Sequence, residues 1–241
     1  MALQRFDELN NMSTIWYDKM EITEEAKKRR VDLSLLFCEI IIMFFDMVMA
    51  ENRSHEQLVG WLTERLNVIA SKELKADNIA YINDWSRKEA EHIVDVTERH
   101  YEEIKSNDWA DVIIKTDENG NTYTYKPKEI SFEEFGISIP EKDYWTSDIR
   151  GILLGIECAS AVENFRELYD AINRGDNRKV WKTEGDNRVR STHVAVDGVD
   201  IPINELFQVG NSYLLFPGDI QNGAEPQEVD NCRCHLVTYR R

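Results

Sequence analysis

The sequence predicts an α+β protein: an N-terminal bundle of long helices followed by a small α+β C-terminal module with short antiparallel strands. Three observations predict it. Apolar residues recur at helical spacing through residues 1–106. After Asp108 the pattern turns β-branched, with an Asn-Gly pair. Residues 179–241 then read as short apolar runs between turn residues. The expected units are a helical bundle over 1–106, a β-hairpin and linker over 107–146, and the module over 147–241.

Residues 5–20 have helical periodicity and give the first helix. Thr23 before Glu24 and Glu25 starts the second, with acids at the positive end of the helix dipole. It runs to about Ala50 and is apolar nearly all round, so it must be covered on most sides. Its segment Leu33–Ala50 resembles a membrane span, but Glu39 and Asp46 would each cost about 2.5–3.5 kcal/mol at a bilayer centre. A buried central helix is expected, and no membrane.

Ser54 caps the next helix, with Gln57 placed for a capping box. Leu58, Trp61, Leu62, Leu66, Ile69 and Ala70 form its stripe. Another helix starts at Asp77 and reaches about Ser106. Trp109–Lys115 and Thr122–Tyr125 read as strands joined through Asn119-Gly120. A polar segment with Pro127 and Pro140 is expected to run over the surface as a linker. From Ser147 the helical stripe returns, ending at a left-handed cap on Gly175. Strands are expected at Val180–Thr183, Val194–Val199, Tyr213–Phe216 and Leu236–Tyr239, with turns at Pro217-Gly218-Asp219 and Asn222-Gly223.

The 241 residues are 42% apolar and 10% aromatic, enough for a sizeable core. Net charge is -16, with 35 acidic and 20 basic side chains in residues 1–173 against 10 and 9 in residues 174–241. An acidic body repels nucleic acid. Any DNA contact would be local, through Arg174, Arg178, Lys179, Lys182, Arg188 and Arg190, a set that reads equally as solvated surface. The first residues show no secretory pattern, and the four cysteines suit a reducing compartment better than a disulfide framework.

Chemistry concentrates between Trp181 and His235. In an extended strand Cys232 and Cys234 would face the same side, and a loop could bring His193 beside them. Two thiolates and an imidazole are three ligands of a tetrahedral zinc, with His235, Asp186 or a water as the fourth. Otherwise the sequence calls for no cofactor. The spacing is not Cys-x-x-Cys, and the alternative is that both cysteines are small buried apolar groups. Asp186 with Arg188 and Arg190 reads as a loop clamp or as an anion site. Asn231 is expected to close a turn through its side chain. Ser191 stands too close to His193 for a serine–histidine relay, and His-x-Glu and phosphate-cradling glycines are missing from this block. No catalytic residue is assigned.

Trp181, Asp186, Arg188-Val189-Arg190, His193, Gly198, Phe207, Pro217-Gly218-Asp219 and Asn231-Cys232-Arg233-Cys234 occur in the order W…D…RVR..H…G…F…PGD…NCRC. This run resembles the signature of the phage Mu F-like minor head proteins, the phage head morphogenesis family. Upstream, Glu157 and Asn164 match the family's helix, while Ile156 and Gly155 stand where it has Thr and Arg. The resemblance covers residues from about 147 to 241. It implies a virion component, present in few copies, that associates with the portal vertex and serves head assembly or DNA packaging and delivery. The partners it implies are portal, capsid or scaffold protein. The location it implies is the virion head, reached through the bacterial host cytoplasm during assembly. Some relatives carry a toxin or transferase domain after the module; here Arg241 follows His235 by six residues, and no enzymatic activity is expected. The alternatives are a metal-dependent enzyme, or a nucleic-acid-binding head protein using the His, Cys and Arg residues of the module.

Overall fold

The computed structural model describes residues 2–74, 79–106, 113–116, 122–125 and 129–241. Four long helices come first: α1 (Ala2–Asp18), α2 (Glu24–Met49), α3 (His55–Glu73) and α4 (Ile79–Ser106). Their starts follow local chemistry. The Thr23 hydroxyl accepts from the Ala26 N–H, and Ser54 and Gln57 make the reciprocal capping box. The expected start at Asp77, the Asn119-Gly120 turn, Trp109 and Pro127 lie outside the described residues.

α2 is covered as its composition demands, but not completely. Phe37, Ile41, Phe44 and Phe45 are fully buried, each contributing about 1.5–3 kcal/mol. Asp32, Leu36, Glu39, Met43 and Asp46 fall on one exposed stripe. Both acids that argue against a membrane span therefore face outward. Among the described residues no helix is long and apolar enough to cross a membrane.

Two antiparallel hairpins follow: β1 (Ile113–Thr116) with β2 (Thr122–Tyr125), then β3 (Glu129–Phe132) with β4 (Ile137–Pro140). The second corrects the expected linker. A 3-10 turn at Glu133–Phe135, ended by left-handed Gly136, folds that polar stretch back on itself.

After the short α5 (Glu141–Tyr144) comes α6 (Asp148–Arg174). Ser147 caps its start and Gly175, at φ +80, ends it. α6 is buried on nearly every face and lies along α2. Gly155 sets how closely: a Cβ there would come 2.4 Å from the Ser34 carbonyl oxygen.

The last segment adds β5 (Arg178–Lys182), α7 (Ser191–Val194), β6 (Asp200–Pro202), β7 (Phe207–Val209), β8 (Ser212–Leu214), α8 (Pro226–Val229) and β9 (His235–Tyr239). β5 is the centre of an antiparallel sheet of order β6-β5-β9, and β7 pairs with β8. The protein is thus α+β, with long N-terminal helices and short antiparallel strands at its C-terminal end. The strand expected at Val194–Val199 is not there. A helical turn ends at Val194, Gly198 turns left-handed at φ +73, and backbone bonds to Trp181 of β5 begin only at Gly198 and Val199.

One hydrophobic cluster runs from Phe37, Leu62 and Trp85 through Val162 and Phe165 to Trp181, Phe207, Phe216 and Leu236. The core therefore passes across the boundary expected at residue 147. The rings of Tyr81 and Phe165 stack at 3.5 Å, joining α4 to α6. α1 closes a second cluster through Met12 and Tyr17 against Cys38, Ile152 and Ile156.

Candidate functional site

Asn164 organises the terminal module from within α6, where it is fully buried. Its Nδ2 donates to the carbonyls of Pro217 (2.9 Å) and Cys234 (3.3 Å). Its Oδ1 accepts from the Leu236 N–H (3.3 Å) and from Arg30 Nη2 (3.0 Å). An amide has two donor protons and two acceptor lone pairs, so this side chain is saturated. It ties a turn, the entry to β9 and α2 to one helix. Arg30 is itself buried, which lowers its pKa, and its guanidinium sits 6.0 Å from the Tyr17 ring.

The Pro217-Gly218-Asp219 turn is held by its own acid. Asp219 is buried, accepts from the backbone N–H of Leu215 and Gln221, and takes a third bond from Asn222 Nδ2. Gly218, at φ +85, lies against Ala161 of α6. Trp181 projects inward from β5 and meets His193 and Phe207 edge-on, each at 5.4 Å.

In the Asn231–Cys234 run, alternate residues face opposite ways. Asn231 adopts φ +51, and its backbone N–H donates to Glu157 Oε2 at 2.9 Å. It closes the turn through its backbone, which Asn tolerates in the left-handed region, and its side chain is exposed. Arg233 reaches Asp186 with two hydrogen bonds, at 2.7 and 2.5 Å. Of the clamp expected from sequence, Arg188 stays, 3.5 Å from Asp186 and 2.6 Å from Glu134, while Arg190 donates instead to the Asp230 carbonyl. The Arg233 guanidinium beside Asp186 holds its carboxyl well below the usual carboxylate range.

Cys232 and Cys234 turn inward to His193. They lie in the loop before β9 and not within a strand, yet the sulfurs converge. His193 Nδ1 is 3.3 Å from Cys234 Sγ and 3.7 Å from Cys232 Sγ. All three residues are at least 95% buried. Hydrogen bonding from Cys234, with His193 adjacent, holds Cys232 well below the ordinary thiol range; Cys232 and burial push Cys234 above it. On the far side of the ring, His193 Nε2 is 3.2 Å from Glu228 Oε2, off the line of a hydrogen bond. Glu228 also accepts from the Thr192 hydroxyl at 2.8 Å. The expected fourth ligands do not join. Asp186 is engaged by Arg233, and His235, at the start of β9, lies outside the cluster. Burial pushes His235 down to about 4.

The basic residues considered for DNA contact are mostly occupied. Lys179 is fully buried, donates to the Leu215 carbonyl at 2.7 Å, and is pushed down to about 8 by burial. Arg178 pairs with Asp200, and Arg174 with Glu167 and Asp176.

Of a second cluster the sequence singles out only Glu157. His92 of α4, Glu157 of α6 and Asp230 converge, with His92 Nε2 3.1 Å from Asp230 Oδ1. Asp230 raises His92; burial raises Glu157 well above its ordinary value. Glu89, one turn from His92, is pushed up to about 7 by burial. Glu89, His92, Asp230 and Glu228 lie near other charged residues in the sequence, and only their convergence in the fold marks them. A cavity of about 150 Å³ opens beside His92, Arg150, Glu157 and Asp230.

Compared with known proteins, the chain matches no family model, no curated protein and no solved structure.

Proposed function

We propose that the chain is a structural minor head protein of a tailed phage or prophage, seated at the portal vertex, acting in head assembly or in packaging and delivery of DNA. One observation carries the reading. The residues that make up the Mu F-like run are spent on internal bonds: Asp219 on its turn, Arg233 on Asp186, Trp181 on the core, and the helix residue Asn164 on four partners. Residues kept for turnover leave polar atoms facing a cleft; these face each other. Such locking suits a part that must keep its shape in an assembly.

The long acidic helices would supply the docking surface. A net charge of -16 favours a basic face on a portal, capsid or scaffold protein. The chain would assemble in the host cytoplasm and remain in the head. The test is mass spectrometry of heads and procapsids purified on density gradients. Recovery in few copies alongside portal and capsid protein is the expected result. A chain absent from both particle types would overturn the reading.

A further inference from the structure

We propose that His193, Cys232 and Cys234 hold a zinc ion that clips α7 to the loop entering β9. The donor set names the metal class. Two thiolates and an imidazole are soft to borderline ligands, suited to zinc and unsuited to magnesium or calcium. The spacing fits without rearrangement. Bonds of about 2.3 Å to sulfur and 2.0–2.1 Å to nitrogen at tetrahedral angles put neighbouring ligand atoms roughly 3.5 Å apart. The His193 Nδ1 to sulfur distances are 3.3 and 3.7 Å, and all three ligand atoms lie within 4.8 Å of one another.

The surroundings are built for a metal-bound histidine. Nδ1 faces the sulfurs, while Nε2 stands 3.2 Å from the buried carboxylate of Glu228, the kind of outer neighbour that a metal-bound imidazole keeps. Thr192 steadies that carboxylate from the same helical turn. Gly210 lets it come close: a Cβ there would stand 2.8 Å from Glu228 Oε1. Charge balance points the same way. A zinc ion with two thiolates and a neutral imidazole carries no net charge, which suits a buried set of ligands. A solvent molecule takes the fourth position, since among the described residues no fourth His, Cys, Asp or Glu joins the set.

The test uses the full chain, purified under reducing conditions from zinc-supplemented culture. Elemental analysis should find one zinc per chain. Cobalt(II) loaded in its place should show tetrahedral d–d bands and a thiolate charge-transfer band, both displaced by zinc. Cys234→Ser and His193→Gln should lose metal at least tenfold, while Cys158→Ser should keep it. Because the first two can misfold, X-ray absorption of the wild-type zinc protein gives an independent reading, with sulfur neighbours at about 2.3 Å expected. A folded wild-type chain that is free of zinc and refuses cobalt would overturn the proposal. So would zinc retained in full by folded Cys234→Ser, a zinc edge without sulfur neighbours, or a Cys232–Cys234 disulfide in the freshly purified protein.

Discussion

Arg233 and Asp186 meet fork to fork, Nη1 on Oδ2 at 2.7 Å and Nη2 on Oδ1 at 2.5 Å, across 47 residues of chain. The Arg188 N–H adds a third bond to Oδ1 at 3.0 Å, and the Trp16 ring of α1 lies 5.9 Å from the guanidinium. One ion pair thus joins the loop after β5, the loop before β9 and the first helix.

Arg233→Lys keeps the charge but loses the planar fork, and should cost about 1–2 kcal/mol. The check is the urea midpoint, which should fall with the slope unchanged. Because Arg233 depresses the Asp186 pKa, the pair's contribution is fully present above the unfolded carboxylate value, about 3.9, and is lost as pH falls below it. The gap between wild type and variant should therefore shrink in acid below that value. Equal midpoints at neutral pH would show that the pair contributes nothing.

Asn164→Leu should be among the most damaging single changes. It strands the carbonyls of Pro217 and Cys234, the Leu236 N–H and one arm of Arg30. Each unpaired buried group costs about 1–3 kcal/mol, so a loss above about 3 kcal/mol is expected. Hydrogen exchange gives the specific readout: the Leu236 amide should exchange much faster, while α3 amides change only with global stability. Protection of Leu236 equal to wild type would rule out the anchoring role.

The helices are legible in the sequence because their ends are local. Thr23, Ser54 with Gln57, Ser147 and Gly175 each act within a few residues of where they sit. The Val194–Val199 stretch misleads for the opposite reason. Its β-branched residues favour a strand, but His193 is drawn inward to two cysteines about forty positions away and its neighbours close a helical turn. The polar 129–140 stretch conceals a hairpin because none of its eight strand residues is fully buried and three are exposed. Cys232, Cys234 and His193 can be named as partners from their chemistry. Glu228 behind them cannot, and nor can Glu89 and His92, which carry no periodic or motif signal.

Gly155→Ala should force α6 away from α2. The added carbon would stand 2.4 Å from the Ser34 carbonyl oxygen and 2.9 Å from the Cys38 nitrogen, both backbone atoms that cannot swing aside. Alanine is the better helix former by about 1 kcal/mol, so the clash exceeds any net loss by about that amount. A net destabilisation of about 2–3 kcal/mol is expected by thermal or urea unfolding. An unchanged or raised midpoint would mean that the two helices can slide apart freely.

Glu89 should make the protein more stable in mild acid. Its carboxyl is buried on α4, takes a weak hydrogen bond from the Cys158 thiol at 3.7 Å, and is pushed up to about 7 by burial, with Asp230 adding to the rise and His92 opposing it. In the unfolded chain its value is about 4.3. Between those limits the native state holds a proton that the unfolded state releases. The contribution is therefore complete below about pH 4.3 and is lost as pH climbs through 7. It amounts to at most about 3–4 kcal/mol, because each tenfold difference in proton affinity between the two states is worth roughly 1.4 kcal/mol. Glu89→Gln mimics the neutral carboxyl and cannot titrate, so it should gain on wild type as pH rises. Glu157 and His92 tilt the profile in the same sense, and His235 against it between about 4 and 6.5, but all three remain in the variant. The difference between the two melting curves at about pH 5 and about pH 8 therefore reads the Glu89 charge together with its pull on His92 and Glu157, both of which it raises. A difference that stays constant across that range would show that the carboxyl is ionised at both ends.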